Sequence, residues 1–412
     1  MSAVEDIVGS DLEISIVIAT HQRRDELLGT LGRLASLRLD ADRTEIFVVD
    51  NASADETADA VAARFPDVRL VRLQENLGSC GKALGVDRAR GRYILFLDDD
   101  SFPRTGSIER MLQAFEADPL LGAAGFIVHL ANGRRECSAL PGVFVGCGVG
   151  LRREALDAVG GLDAGLFMQA EEYDLAFRLV NAGWRVENLA DLHVDHLKSP
   201  QARLTGRTLY HDIRNNLIVA ARYLPEGVAS DLREDLQQRY RWIAENQGLI
   251  DHFERGLAAG LAAWDVERSE YRHQRLSPKA FETLFRYDEI EQRMAKLVDA
   301  GVRRPIFADL GKNIGAFVHA ARQCGIDPIG IADDRYFREG RAYRGIPLVS
   351  VQAAGSIEPD AIIISNCAPV HAESTARMWQ DLDIAPVHCW FGTDRWHSTS
   401  AVCRLSPITA AS

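Results

Sequence analysis

Residues 93–101, YILFLDDDS, constrain the fold of this chain more than any other stretch. Tyr93, Ile94, Leu95, Phe96 and Leu97 form an uncharged apolar run, which is how a strand buried on both faces of a parallel sheet reads. Three carboxylates, Asp98, Asp99 and Asp100, follow at its carboxyl end. Open α/β sheets bind ligands outside the carboxyl ends of their strands, so these acids stand where a site is expected. Adjacent carboxylates repel one another, and a cation relieves the repulsion. Hard oxygen donors suit Mg²⁺ or Mn²⁺, which in turn hold substrate phosphates. The bland alternative is a solvated acidic turn.

The flanking sequence repeats the pattern. Residues 14–19 (ISIVIA) are apolar and end at Thr20, and helix-forming sequence follows over 24–37. Residues 45–49 (EIFVV) end at Asp50 and Asn51, where Ser53 and Glu56 make an S-x-x-E capping box for a helix to about Arg64. A third strand over 68–73 leads into the Gly-bearing turn 76–81 and a short helix. Strands alternating with helices predict βαβ units and a mostly parallel sheet. A GxGxxG fingerprint is absent after the first strand, where ATHQRR stands, and so is a P-loop. The sheet therefore reads as a nucleotide site that manages phosphates with a metal rather than a glycine cradle.

Further along, Gly146, Gly148 and Gly150 let the backbone approach either a ligand or a neighbouring strand. Glu171, Glu172 and Asp174 open a helix over 171–183. Acids suit a first helical turn, and Asp174 can pair with Arg178 at i,i+4, which leaves Glu171 and Glu172 less easily explained by structure alone. His193 and His196, in DLHVDHLKS, either complete a metal shell or pack.

Composition narrows the class. A net charge of −12 argues against a nonspecific nucleic-acid binder. Seven cysteines without CxxC spacing predict reduced thiols and a cytoplasmic setting. The acidic N-terminus has no apolar signal region, and no run reaches the length of a membrane span. Peripheral contact with the inner membrane face and a homo-oligomeric state are both compatible with this composition.

An ordered set of motifs over positions 1–225 resembles the inverting family-two glycosyltransferases of the GT-A fold, in the flavour of bacterial rhamnosyl- and galactofuranosyl-transferases. The set runs SIVIATHQR, VVDNASAD, ENLGSCGKALG, YILFLDDDS, GLRREALDAVGGLDAGLFMQAEEYDLAFRLVNAGWRV, HLKS and LYHDIRNNLIVA. The resemblance implies that Thr20 and Asp50 line the nucleoside, and that Asn76, Gly78 and Lys82 flank the nucleotide with Asp98 and Asp99. Asp98 and Asp100, the outer positions of a D-x-D motif, with His196, are implied metal ligands for Mg²⁺ or Mn²⁺. Glu171–Glu172 stands where the family has Glu–Asp, so one of the two is the implied base. The Glu in place of Asp reaches one methylene further, and leaves the choice between Glu171 and Glu172 open. The implied donor is a nucleoside-diphosphate sugar, UDP- or dTDP-linked, and the implied acceptor a glycan or lipid-linked hydroxyl. The chemistry suits these residue types: a metal neutralises the leaving diphosphate, while one carboxylate deprotonates the attacking hydroxyl.

The sequence divides as an α/β GT-A domain over 1–225, a helical segment over 226–302, a small Rossmann-like α/β domain over 303–396 and a frayed tail over 397–412. In the third part the glycines of DLGKNIG depart from the dinucleotide spacing, yet Asp333, 22 residues after Gly311, stands where a ribose-binding acid would. This leaves two rivals: a sugar-nucleotide-modifying or NAD-binding enzyme using that part, and a non-catalytic nucleotide-sugar scaffold.

Overall fold

The computed structural model describes residues 12–198 and 205–401. Their contacts divide the chain into two compact units. The first comprises residues up to Glu136, Phe144–Arg203 and His397 onward; the second comprises Cys137–Val143 and Leu204–Trp396.

The first unit opens with strand β1 (Ile14–Thr20), helix α1 (Arg24–Ser36), β2 (Thr44–Asp50), α2 (Thr57–Arg64), β3 (Arg69–Arg72), α3 (Lys82–Val86) and β4 (Tyr93–Asp98). Then come β5 (Ser101–Pro103), α4 (Ser107–Ala117), β6 (Leu121–Leu130), β7 (Arg135–Glu136), β8 (Gly148–Arg152), α5 (Arg153–Val159), α6 (Glu171–Asn181) and β9 (Arg185–His196). They build one sheet in the order β3-β2-β1-β4-β8-β6-β9-β5, with β7 pairing β6. The first four strands are parallel; β8 runs antiparallel to β4. Ile16, Ile18, Val48, Leu95 and Leu97 are buried in the core between this sheet and its helices. This is a mixed, helix-flanked α/β sheet, parallel through β3-β2-β1-β4 as the sequence predicts. Register sets Thr20 beside Asp50, and Ala19 beside Asp98, so the polar strand ends line one edge.

Gly150 belongs to packing: a Cβ there would lie 2.2 Å from Met111 Sδ, so the residue brings β8 under α4. The expected capping box does not form. Ser53 Oγ instead accepts from Gln22 N at 2.9 Å, tying the β2–α2 loop to the β1–α1 loop. Asp55 takes the capping place, accepting from Thr57 N and Oγ1. The start of the tail is not frayed. His397 O accepts from Ala190 N at 2.8 Å, and Thr399 donates N–H and O–H to Asp191, so residues 397–401 run along β9. The rest of the tail lies outside the described residues.

The second unit holds α7 (Gly206–Tyr223), α8 (Glu226–Gln247), α9 (Ile250–Glu270), α10 (Pro278–Phe285), α11 (Tyr287–Asp299), β10 (Ile306–Ala308) and α12 (Ile314–Cys324). It continues with β11 (Gly330–Ala332), β12 (Ala342–Tyr343), β13 (Ile346–Val349), β14 (Ile362–Ile364), α13 (Pro369–Leu382) and β15 (Val387–His388). The sheet order is β12-β13-β11-β10-β14-β15, parallel except for the β12–β13 pair. Helices and sheet are not separate domains here. Trp242 of α8 and Ile290 of α11 share one core with Phe307 and Phe317, and α7 packs along α9, so α7, which the sequence reading put within 1–225, falls with this unit.

Among the described residues no helix is long and apolar enough to cross a membrane, and six cysteines are free thiols.

Candidate active site

The three acids at the end of β4 separate by direction. Asp99 turns inward and is 7% exposed. Its Oδ2 accepts from Thr20 Oγ1 at 2.8 Å, its Oδ1 lies 2.9 Å from Arg23 Nε, and its carbonyl accepts from Thr30 Oγ1. Burial pushes its carboxyl up to about 7, against the pull of Arg23 and Thr20. Asp99 and Thr20 are thus hydrogen-bonded to each other. Asp98 keeps an open face, with its side chain 39% exposed. Burial raises this carboxyl too, but Lys82 and His196 outweigh it and hold it below the ordinary range. Asp100 pairs with Arg23 at 2.6 Å and with His196 Nε2 at 3.0 Å, and these partners also hold it low.

His196 arrives on β9, opposite Ser101 of β5. Ligand atoms of Asp98, Cys147 and His196 lie within 4.8 Å of one another. Burial alone would lower the imidazole; its charged neighbours prevail and raise it to about 11. Cys147 and Asp100 contribute most to that rise, and burial raises the Cys147 thiol in turn. His196 Nδ1 is buried without a hydrogen-bond partner. A carboxylate, an imidazole with a nitrogen free of hydrogen bonds and a thiol, with the Asp100 carboxylate beside them, form a donor set that fits a divalent ion. His193 goes elsewhere: its Nδ1 lies 3.2 Å from His129 Nε2.

Glu171 and Glu172 begin α6. Immediately before them Phe167, Gln169 and Ala170 hold φ of 64°, 67° and 66°, conformations that cost non-glycine residues roughly 1–3 kcal/mol each. The loop is clamped from the other side. Phe167 O accepts from Cys80 N and Ser79 Oγ, and a Cβ on Gly78 (φ +65°) would lie 2.2 Å from that oxygen. Glu171 accepts from the Ser79 hydroxyl, while its Oε2 is buried with no partner. Burial first, then the neighbouring Glu172, pushes Glu171 up to about 8; burial raises Glu172 as well.

These glutamates meet the strand-tip acids through one residue. Lys82 Nζ donates to Asp98 Oδ1 at 2.8 Å and to Gly146 O at 3.1 Å. Gly146 N in turn lies 3.4 Å from Glu172 Oε1, and a Cβ on Gly146 would press to 3.2 Å on the same oxygen. Of the glycines whose purpose the sequence left open, Gly146 therefore belongs to the site. Lys82 itself is 4% exposed, and is fixed between the acids rather than presented to solvent.

Asp50 is buried and accepts from Ser53 N at 3.2 Å. Beside it Asn51 joins three loops: its Nδ2 donates to Thr20 O and Gly78 O, and its Oδ1 accepts from Leu77 N. Asn76 shapes the turn by accepting from Gly78 N at 2.8 Å. A cavity of ≈ 460 Å³ opens between the β1–α1 and β2–α2 loops, lined by Gln22, Arg23, Arg24, Ala54 and Asp55 among others. Arg23 and Cys147 were missed from sequence. The only signal for Arg23 was a pair of arginines in ATHQRR opposing three acids.

The sheet thus ends in three acids at the tip of β4, one of them in a cluster that could hold a metal ion, and Lys82 and Gly146 link them to the glutamates of α6. The Glycosyl transferase family 2 model matches residues 15–159, and the Glycosyl transferase family group 2 model matches 125–265. The succinoglycan biosynthesis protein ExoO of Rhizobium meliloti is 34% identical over 26% of this chain and 30% of its own length. The N-acetylglucosaminyl-diphospho-decaprenol L-rhamnosyltransferase of Mycobacterium tuberculosis is 28% identical over 42% of this chain and 72% of its own. A solved structure of S. aureus TarS 1-349 in complex with UDP-GlcNAc covers 81% of this chain and 99% of that one, at 13% identity and a TM-score of 0.47. Across residues 15–265 the chain therefore matches the family-2 glycosyltransferases.

Proposed function

We propose that the chain transfers a sugar, with inversion, from a nucleoside-diphosphate donor to a hydroxyl of a glycan or lipid-linked acceptor. The observation that carries this reading is the continuous link Asp98–Lys82–Gly146–Glu172, which supports a metal-binding role for Asp98 and a base role for Glu172 within one site. Asp98, Asp100 and His196 are the residues that would hold a divalent ion, Mg²⁺ or Mn²⁺. When bound, that ion neutralises the charge that gathers on the leaving diphosphate.

The protein's own groups do the rest. Glu172 takes the proton of the attacking hydroxyl, and its raised affinity for a proton makes it a better base toward an alcohol than an exposed carboxylate. Glu171, high because of burial and its neighbour, retains a proton and keeps the pair from carrying two charges. A single base is all that inversion in one displacement requires. Asp50, Asn76, Gly78 and the cavity beside Arg23 form the nucleoside side. The rhamnosyltransferase relative supports a deoxyhexose donor and a diphospholipid acceptor, which would bring the enzyme to the cytoplasmic face of a membrane.

A thermal-shift screen of UDP-, dTDP- and GDP-sugars, with and without Mn²⁺, tests the reading. Stabilisation by one sugar nucleotide that requires the metal is the expected result. Stabilisation by NAD alone would replace it with the rival enzyme. Against that rival, the Asp333 carboxylate is taken up within the protein by Leu310 N and Arg335.

A further inference from the structure

We infer that Cys147 is itself a ligand of the metal, and that its sulfur makes the site select Mn²⁺, Co²⁺ or Zn²⁺ over Mg²⁺. The inference rests on the metal reading above and adds a residue and a selectivity to it. The backbone fixes the sulfur in place. The antiparallel pair Leu97↔Gly148 puts Asp98 across from Cys147. Ser101 staples the two: Asp98 N donates to its Oγ at 2.8 Å, and that hydroxyl donates to Cys147 O at 2.7 Å. The next ladder, Ser101↔His196, delivers the imidazole to the same point. Three ligand atoms of three chemical kinds, a carboxylate oxygen, a ring nitrogen and Sγ, consequently lie within 4.8 Å of one another. Ligand atoms about 2.0–2.3 Å from a shared ion are themselves about 3–4 Å apart, so side-chain adjustment alone closes the set.

The donor chemistry then decides the ion. Mg²⁺ demands oxygen donors and gives up its waters reluctantly. Thiolate and imidazole favour the later divalent ions, in the order Mn²⁺ < Co²⁺, with Zn²⁺ suited to sulfur. On ligation the thiol proton passes to solvent as the sulfur–metal bond forms, with no change of oxidation state.

Titrating the full chain with Co²⁺ alone tests this, because thiolate ligation produces a sulfur-to-cobalt charge-transfer band in the near ultraviolet. The parent is expected to show the band and Cys147→Ser to lack it. The Ser variant should also bind Zn²⁺ more weakly, on the order of 10–100-fold, with Mg²⁺ affinity unchanged. Cobalt binding to the parent without the band, or a band that persists in Cys147→Ser, overturns the inference and leaves the metal reading standing. Failure of the parent to bind any divalent ion removes the metal reading as well. If Cys147→Ser does not fold, Cys147→Ala serves, and the parent's cobalt spectrum decides if neither variant folds.

Discussion

The two units each carry a parallel sheet with acids at its strand tips, and they treat those acids in opposite ways. In the second unit Asp309, held at φ +88°, and Asp333 are both buried. Every one of their carboxylate oxygens meets a donor: Arg335 and Asn366 on Asp309, and Leu310 N and Arg335 on Asp333. In the first unit Glu171 Oε2 and His196 Nδ1 are buried with no partner. A buried polar atom without a partner costs about 1–3 kcal/mol, and folds rarely keep one without cause. Acids at strand tips are a consequence of α/β topology. What distinguishes the first unit is unmet capacity on a site carboxylate and on the imidazole paired with another, where the carboxylates of Asp309 and Asp333 are fully met.

The sharpest break between the two comes from the base. Glu172→Gln keeps shape and removes proton acceptance, so kcat for sugar transfer should fall by roughly 10²–10⁴, with donor affinity retained in calorimetry. Equal loss of both would assign Glu172 to binding instead. A smaller but more direct contrast pairs Asp100→Asn with Asp333→Asn. Arg23 keeps Asp99 as a partner when Asp100 is neutralised, so the first variant should fold and lose about 10²–10³ in turnover. The second should leave turnover unchanged. The reverse pattern would move catalysis to the second unit.

The pH response of stability should differ in sign. Glu171 is raised from 4.5 to about 8, so the folded state binds this proton more tightly than the unfolded chain. Its contribution is fully present below about pH 4.5 and disappears as pH rises through 8. Without metal, the melting temperature of Glu171→Gln should therefore gain on the parent across that window. Asp333 is held below 3.8 by Arg335 and Leu310 N against its burial, so its contribution is present above that value and is lost as pH falls. Asp333→Asn should fall behind the parent above pH 4 and converge with it in acid. Parallel melting curves in either case would sink the assignment of that carboxyl.

Much of the first sheet was legible in the sequence, because a strand buried on both faces has to be apolar until it ends. That logic found β1, β2 and β4 with Thr20, Asp50 and Asp98 at their tips. It could not separate Asp99 from its neighbours, since successive residues in a turn point different ways and the hydroxyls of Thr20 and Thr30, 79 and 69 positions earlier, hold Asp99 inward. Cys147 looked like one more small residue among glycines. Only the antiparallel ladder to β4 brings it to Asp98. The S-x-x-E pattern at Ser53 was a sound local signal overruled by a contact to Gln22, 31 positions away. The polar tail looked frayed because its anchor, Asp191, lies 208 positions earlier. Local chemistry was readable, whereas pairings fixed by long-range register were not.

The smallest expected effect tests the staple itself. Arg335 spans Asp309 and Asp333, yet its own side chain is 59% exposed. Water therefore screens its charge, and it competes with solvent for the hydrogen bonds that it donates. Arg335→Ala leaves Asn366 on Asp309 and Leu310 N on Asp333, so neither acid is wholly abandoned. Solvent entering where the guanidinium lay supplies part of what is lost. A destabilisation of about 1–2 kcal/mol follows from these opposing effects, readable as a lower denaturation midpoint with an unchanged slope. Sugar transfer measured well below that midpoint should be unaffected. If removing Arg335 instead abolished turnover, the acids of the second unit would have a chemical task after all, and the contrast between site and staple would fail.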